Sequence, residues 1–91
     1  MSQLNEHFKK SKTDFLMFSQ TICMYCSIAK RYLKNKGLSY TEINLDHHDG
    51  LRKELVMETG HRTVPVLFDL RGDEIVFVGG SDNLIEYKLW M

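Results

Sequence analysis

Cysteine, proline and tryptophan are scarce in this chain, with two, one and one among 91 residues, and neither sign of charge is in excess. Twelve basic residues balance twelve acidic ones, so there is no electrostatic footprint for nucleic acid or an anionic membrane surface. No apolar run approaches the ~18 residues that would make a membrane-spanning helix. Residues 1–12 are polar, end in Lys9-Lys10-Ser11-Lys12 and contain no apolar leader, so the expected setting is the cytoplasm. In that reducing compartment a cysteine pair is more often catalytic or metal-binding than structural. No internal repeat or low-complexity tract interrupts the chain, and its length suits a single domain over residues 1–91, built around one core.

Both cysteines fall in one stretch, Thr21-Ile22-Cys23-Met24-Tyr25-Cys26. The preceding Asp14-Phe15-Leu16-Met17-Phe18 reads as a buried strand, and the following Ser27-Ile28-Ala29-Lys30-Arg31-Tyr32-Leu33-Lys34 as helix. Ile28 and Tyr32 mark the inward face of that helix, widened by Ala29 and Leu33. Cys23 is thus expected at or just before a first helical turn, where unpaired N–H groups and aligned peptide dipoles favour a thiolate. In Cys-x-x-Cys motifs the thiol pKa falls from about 8.5 to roughly 3.5–7.5. A purely structural disulfide here would close a very short loop and constrain the unfolded chain little. Zinc would need four ligands, and His47, His48 and His61 do not fall at finger spacing. No metal is expected, the adjacent His47 and His48 reading as a solvated loop, and the pair reads as a redox dithiol.

Leu4 and Phe8, at helical spacing, favour a short helix within residues 1–12 over a loose arm. Strand one is expected over 13–19, with the helix after the motif ending at Gly37. Strand two is expected over 39–45 on its β-branched and aromatic content, then a polar break over 46–50 and a second helix over 51–59. Pro65 marks the start of strand three, which runs to Leu70. Arg71-Gly72-Asp73 supplies a hairpin turn into strand four, over 74–78. Gly79-Gly80 breaks that strand, Ser81 or Asp82 caps a last helix, and Leu84 to Trp90 fill it. The order is β-α-β-α-β-β-α, an α/β domain with a parallel pair followed by a hairpin.

Cys23-Met24-Tyr25-Cys26, Thr63-Val64-Pro65 and Gly79-Gly80-Ser81-Asp82 lie in the order and at the separations of a glutaredoxin, and residues 14–89 resemble that family throughout. The resemblance implies a thioredoxin fold, a four-stranded mixed sheet of order 4-3-1-2 with strand three antiparallel, flanked by three or more helices. It implies a cis peptide before Pro65. It also implies glutathione as reductant and co-substrate of a thiol–disulfide oxidoreductase, with Cys23 as nucleophile and Cys26 resolving. For the matched positions, Val64 would offer its backbone to the glutathione cysteine, between Thr63 and Pro65. Gly80, Ser81 and Asp82 would seat the γ-glutamyl end. Arg62 would hold the glycine carboxylate, unless it is a simple surface charge. Tyr25 would shield the mixed disulfide.

Two positions depart from the family. Met24 stands where a proline is usual, and Gln20 where a lysine is usual, three residues before Cys23. Met24 brings an extra N–H expected to favour the Cys23 thiolate, whereas Gln20 removes a cation and works the other way, though it can still donate a weaker hydrogen bond to glutathione. The expected partners are glutathione and disulfide-containing or glutathionylated proteins, with the protein a monomer. Two other readings are kept: a redoxin that is recharged by thioredoxin reductase and feeds ribonucleotide reductase, and a carrier holding a [2Fe–2S] cluster between two subunits with glutathione.

Overall fold

The computed structural model describes residues 2–87. Its elements are α1 (Gln3–Lys10), β1 (Phe15–Ser19), α2 (Met24–Asn35), β2 (Tyr40–Asn44), a 3-10 turn (Leu45–His47), α3 (Leu51–Thr59), β3 (Val66–Asp69), β4 (Val76–Gly79) and α4 (Ser81–Glu86). The sheet order is β2-β1-β3-β4. Strand β1 runs parallel to β2, Phe15 opposite Tyr40, and antiparallel to β3, Phe18 opposite Val66. Strand β3 pairs antiparallel with β4. This is the expected topology, read from the other edge.

All of β1 is buried, because helices cover both faces of the sheet. On one face Leu16, Phe18, Val66 and Phe68 pack with Leu4 of α1 and with Leu51 and Leu55 of α3. On the other Phe15, Met17 and Leu67 pack with Cys26, Ala29 and Leu33 of α2 and Leu84 of α4. The N-terminal segment is helix, not arm: the Ser2 hydroxyl accepts from the Asn5 N–H, and the Glu54 carboxylate accepts from the Leu4 N–H at 2.9 Å. Helix α3 fills its expected range between Gly50 and Gly60.

Strands β1 and β3 and helix α2 are shorter by one or two residues at an end than expected, and other readings change more. Helix α2 buries Cys26, Ala29 and Leu33, leaving Ile28 exposed and Tyr32 half-buried, because the sheet meets a stripe one residue away from the one anticipated. Strand β4 starts at Val76 and includes Gly79. The cause lies in Asp69, whose carboxylate accepts from the Arg71 N–H and from its guanidinium Nε, both at 2.9 Å. Asp69 thereby closes its own turn, so the ladder resumes only at Val76, with an irregularity near Val78. The cap of α4 is Gly80, not Ser81 or Asp82, and Asn83 Oδ1 accepts the Gly80 N–H at 3.0 Å. Helix α4 ends at Glu86, with Tyr87 extended as its C-cap rather than helical, and the rest of the expected helix, residues 88–90, lies outside the described residues.

Candidate active site

The C-terminal end of β1 delivers the chain through Gln20-Thr21-Ile22 to Cys23, which is the N-cap of α2. Cys23 and Cys26 are joined as a disulfide with their Cα atoms 5.2 Å apart. Cys23 is half-buried; Cys26 is 2 % exposed and belongs to the core. The Cys26 N–H donates to Cys23 Sγ at 3.1 Å, an N-cap bond that puts a donor on the more accessible sulfur. The N–H aimed at that sulfur therefore belongs to Cys26, whereas the sequence suggested Met24.

A network of polar contacts fixes the loop ahead of Cys23. The Asp46 carboxylate accepts from the Thr21 N–H at 2.9 Å, and Asn44 Nδ2 donates to the Thr21 hydroxyl at 3.2 Å. The bonds from Thr21 hold Asp46 below the usual carboxylate range, with Arg52 and His47 adding to the effect. Arg52, from the first turn of α3, ion-pairs with Asp46 at 3.5 Å and donates to Gln20 Oε1 at 3.2 Å. Gln20 Nε2 in turn donates to the Ile22 carbonyl. Position 20 thus carries no charge of its own, but a cation arrives there from α3.

Two hollows meet at Tyr25, Thr63 and Val64. One, of about 430 Å³, adds Gln20, Ile22, Cys23, Met24, Arg52 and Arg62. The other, of about 300 Å³, adds His61, Pro65, Gly80, Ser81, Asp82 and Asn83. The structure therefore brings every residue proposed for glutathione, with Cys23, onto one continuous groove. Cations stand at one end of it and an acid at the other.

Inside this groove the Val64–Pro65 peptide is cis. Neither the N–H nor the C=O of Val64 makes a hydrogen bond among the described residues, so both are available to an extended ligand. Ser81 is buried and can reach a ligand through its N–H, which like that of Asp82 lies in the first turn of α4 and lacks an intrahelical partner. Asn83 takes the capping role, so the exposed Asp82 carboxylate makes no hydrogen bond or ion pair among the described residues. Gly79 must be glycine: its φ is +116°, and a Cβ there would stand 2.6 Å from Asn83 Oδ1. Arg62 is exposed and makes no ion pair among the described residues. Sequence reasoning missed Arg52, His61 and Asn83. His61 lies over Gly80, with its Nε2 3.2 Å from the Thr63 hydroxyl. No local pattern marks these three; only the fold brings them to the groove.

A glutaredoxin family model matches residues 15–75. The chain belongs to the glutaredoxin family. It is 32 % identical over 68 residues to glutaredoxin 3 of Escherichia coli, covering 75 % of this chain and 77 % of that protein. With a glutaredoxin of Pseudomonas aeruginosa it shares 36 % over 69 residues, covering 76 % and 77 % respectively. Among solved structures it is similar to a buckwheat glutaredoxin–glutathione complex, with a TM-score of 0.77 and 31 % identity over 91 % of this chain and 76 % of that one. A dithiolic glutaredoxin of Trypanosoma brucei brucei superposes with a TM-score of 0.76 at 26 % identity, covering 94 % and 86 %. Glutaredoxin membership and the Cys23-x-x-Cys26 pair together make this protein a thiol–disulfide oxidoreductase of thioredoxin fold.

Proposed function

We propose that this glutaredoxin is glutathione-dependent, reducing glutathione mixed disulfides and protein disulfides. The observation that carries the reading is the polarity of the groove: Arg52 and Arg62 at one end, the open Val64 backbone beside Cys23, and Asp82 at the other. Glutathione has the matching order of groups, a glycine carboxylate, a cysteine peptide and a γ-glutamyl α-ammonium. A guanidinium recognises the carboxylate. Val64 pairs with the cysteine backbone as an added strand would. Asp82 takes the ammonium, while the N–H groups of Ser81 and Asp82 take the adjoining carboxylate.

In the forward half-reaction the Cys23 thiolate attacks the glutathione sulfur of a mixed disulfide, and the protein thiolate leaves. A second glutathione thiolate then attacks that sulfur, releasing oxidised glutathione and restoring the Cys23 thiolate. With a protein disulfide, Cys23 forms the mixed disulfide, and Cys26 displaces the substrate and closes the internal disulfide. Two glutathione molecules then reduce it. Cys26 starts its attack from the core, one helical turn from Cys23.

Turnover of a glutathione mixed disulfide, coupled to glutathione reductase, tests the reading. Cys23→Ser is expected to abolish turnover of every substrate. Cys26→Ser is expected to keep activity on glutathionylated substrates and lose protein disulfide reduction. Recharging by thioredoxin reductase with no turnover of glutathione mixed disulfides would overturn the glutathione assignment.

A further inference from the structure

Four large apolar side chains stand in solvent around the redox pair: Ile22 at 87 % exposure, Met24 at 75 %, Tyr25 at 58 % and Ile28 at 36 %. Scattered exposed apolar residues are ordinary on a protein surface. Ile22, Met24 and Tyr25 line the hollow that holds Cys23, the sulfur a substrate must touch, and Ile28 lies one turn beyond Met24 on α2. Tyr25 faces the groove, but Met24 and Ile28 are spaced i, i+4 on α2, and Arg31 continues the same stripe. Helix α2 contains Lys30, Arg31 and Lys34 but no acidic residue. Lys30 is ion-paired with Glu42 at 3.2 Å, whereas Arg31 and Lys34 are exposed and make no ion pair among the described residues. The outer face of α2 is thus apolar next to Cys23 and basic farther along.

Covalent chemistry constrains what lies on this face. When the Cys23 thiolate attacks a protein disulfide, the substrate sulfur comes within bonding distance, and the residues flanking it must rest on the rim. A helix rises about 1.5 Å per residue, so Ile28 lies about 7.5 Å beyond Cys23 along the axis, and Arg31 about 12 Å. An extended segment advances about 3.3 Å per residue, so those side chains face its positions about two and four from the target cysteine.

We infer that the Met24–Ile28–Arg31 face of α2 is the docking surface for protein substrates, and that it fits an extended segment with an apolar residue about two positions and an acidic residue about four positions from its reactive cysteine. The inference deepens the activity proposed above. It rests on Cys23 as the attacking thiol, and does not require glutathione. Apolar contact supplies affinity, while Arg31 and Lys34 supply charge complementarity that salt weakens.

The test uses the Cys26→Ser protein, in which a mixed disulfide at Cys23 accumulates. Short peptides carry one cysteine activated as its thionitrobenzoate disulfide. The Cys23 thiolate attacks the peptide sulfur, a Cys23–peptide disulfide forms, and the coloured thionitrobenzoate anion leaves. At low salt, a peptide with leucine and glutamate at the two positions is expected to react about tenfold faster than one with serine and lysine, the scale of half-burying one leucine plus an exposed ion pair. Ile28→Ser is expected to remove the leucine advantage, and Arg31→Glu to reverse the charge preference. Neither should change the rate with the thionitrobenzoate disulfide of free cysteine. Equal rates for all peptides, or a preference that survives both substitutions, would overturn the inference. If the peptide preference holds while glutathione mixed disulfides are not turned over, the docking surface stands and the glutathione dependence falls.

Discussion

Two arginines border the cationic end of the groove, and their surroundings differ. The Arg52 guanidinium is already held, by the Gln20 amide at 3.2 Å and the Asp46 carboxylate at 3.5 Å. Arg62 is exposed, and immobilising such a side chain costs up to about 1.5–2 kcal/mol of rotamer entropy, which offsets most of what a solvent-facing ion pair gains. A hydrogen bond to a charged group contributes about 1.5–3 kcal/mol. The Arg52 side chain is 42 % exposed, so solvent screening brings that down to about 1 kcal/mol. Arg52→Met is therefore expected to raise the KM for a glutathione mixed disulfide about fivefold, and Arg62→Met less than about twofold, with kcat nearly unchanged in both. The Arg52 effect should shrink in concentrated salt, where the Debye length falls to about 3 Å. Steady-state kinetics at low and high salt measure both. Equal effects of the two substitutions, or a larger one from Arg62, would refute the argument from preorganisation.

Asp82→Ala should raise the same KM about threefold and leave Tm unchanged, whereas Asn83→Ala should leave KM alone and cost about 1 kcal/mol of stability, because Asn83 makes the cap; thermal melts beside kinetics separate the two. His7 packs 6.1 Å from the Phe18 ring and 5.1 Å from His48. Burial holds its pKa below the usual histidine value, helped by His48 and Lys10 and opposed by Glu54 and Glu6. The unfolded chain then takes up this proton first, so stability is complete above about pH 6.5 and falls as the pH drops toward the lower folded pKa. His7→Gln should flatten the Tm–pH curve in that window, above the range where Asp46, Glu54 and Asp69 act; an unchanged slope would show that His7 contributes nothing. Met24 is the first residue of α2, and Cys23 before it is extended, at φ −154° and ψ 101°, so a proline fits there. Because Cys26 supplies the donor to Cys23 Sγ, Met24→Pro removes only chain freedom, worth about 0.4–1 kcal/mol, and should make the protein more reducing by roughly 10–20 mV. Equilibration against a glutathione buffer decides it, and a potential at or above the wild-type value would count against the argument.

Where a local pattern carried the information, the sequence sufficed. The all-apolar run at Phe15–Phe18 reads as a buried strand, the cysteines follow it at a helix start, and Gly50 and Gly60 bracket α3 where its periodicity ends. Errors arose where a contact from elsewhere in the chain decides. Periodicity says that α2 has an apolar face, but Ile28, Ala29, Tyr32 and Leu33 give two adjacent stripes of similar width. The sheet chose between them: Met17 and Leu67 meet Ala29 and Leu33, and Ile28 is left outside. The same reasoning governs the groove. Cys23, Val64 and Asp82 could be placed on the groove from the sequence because three motifs, in one order and at one set of separations, together carry the family resemblance. Arg52 was not, since nothing around it differs from any other first-turn arginine of an amphipathic helix. Its placement comes from Asp46 and Gln20, which lie on separate segments and meet Arg52 only after α3 has packed across the end of β1. The missing lysine at position 20 and the arginine at position 52 therefore form one arrangement. Beside the uncharged Gln20 stands the Arg52 guanidinium of α3, paired with an Asp46 that also accepts from the Thr21 N–H ahead of Cys23.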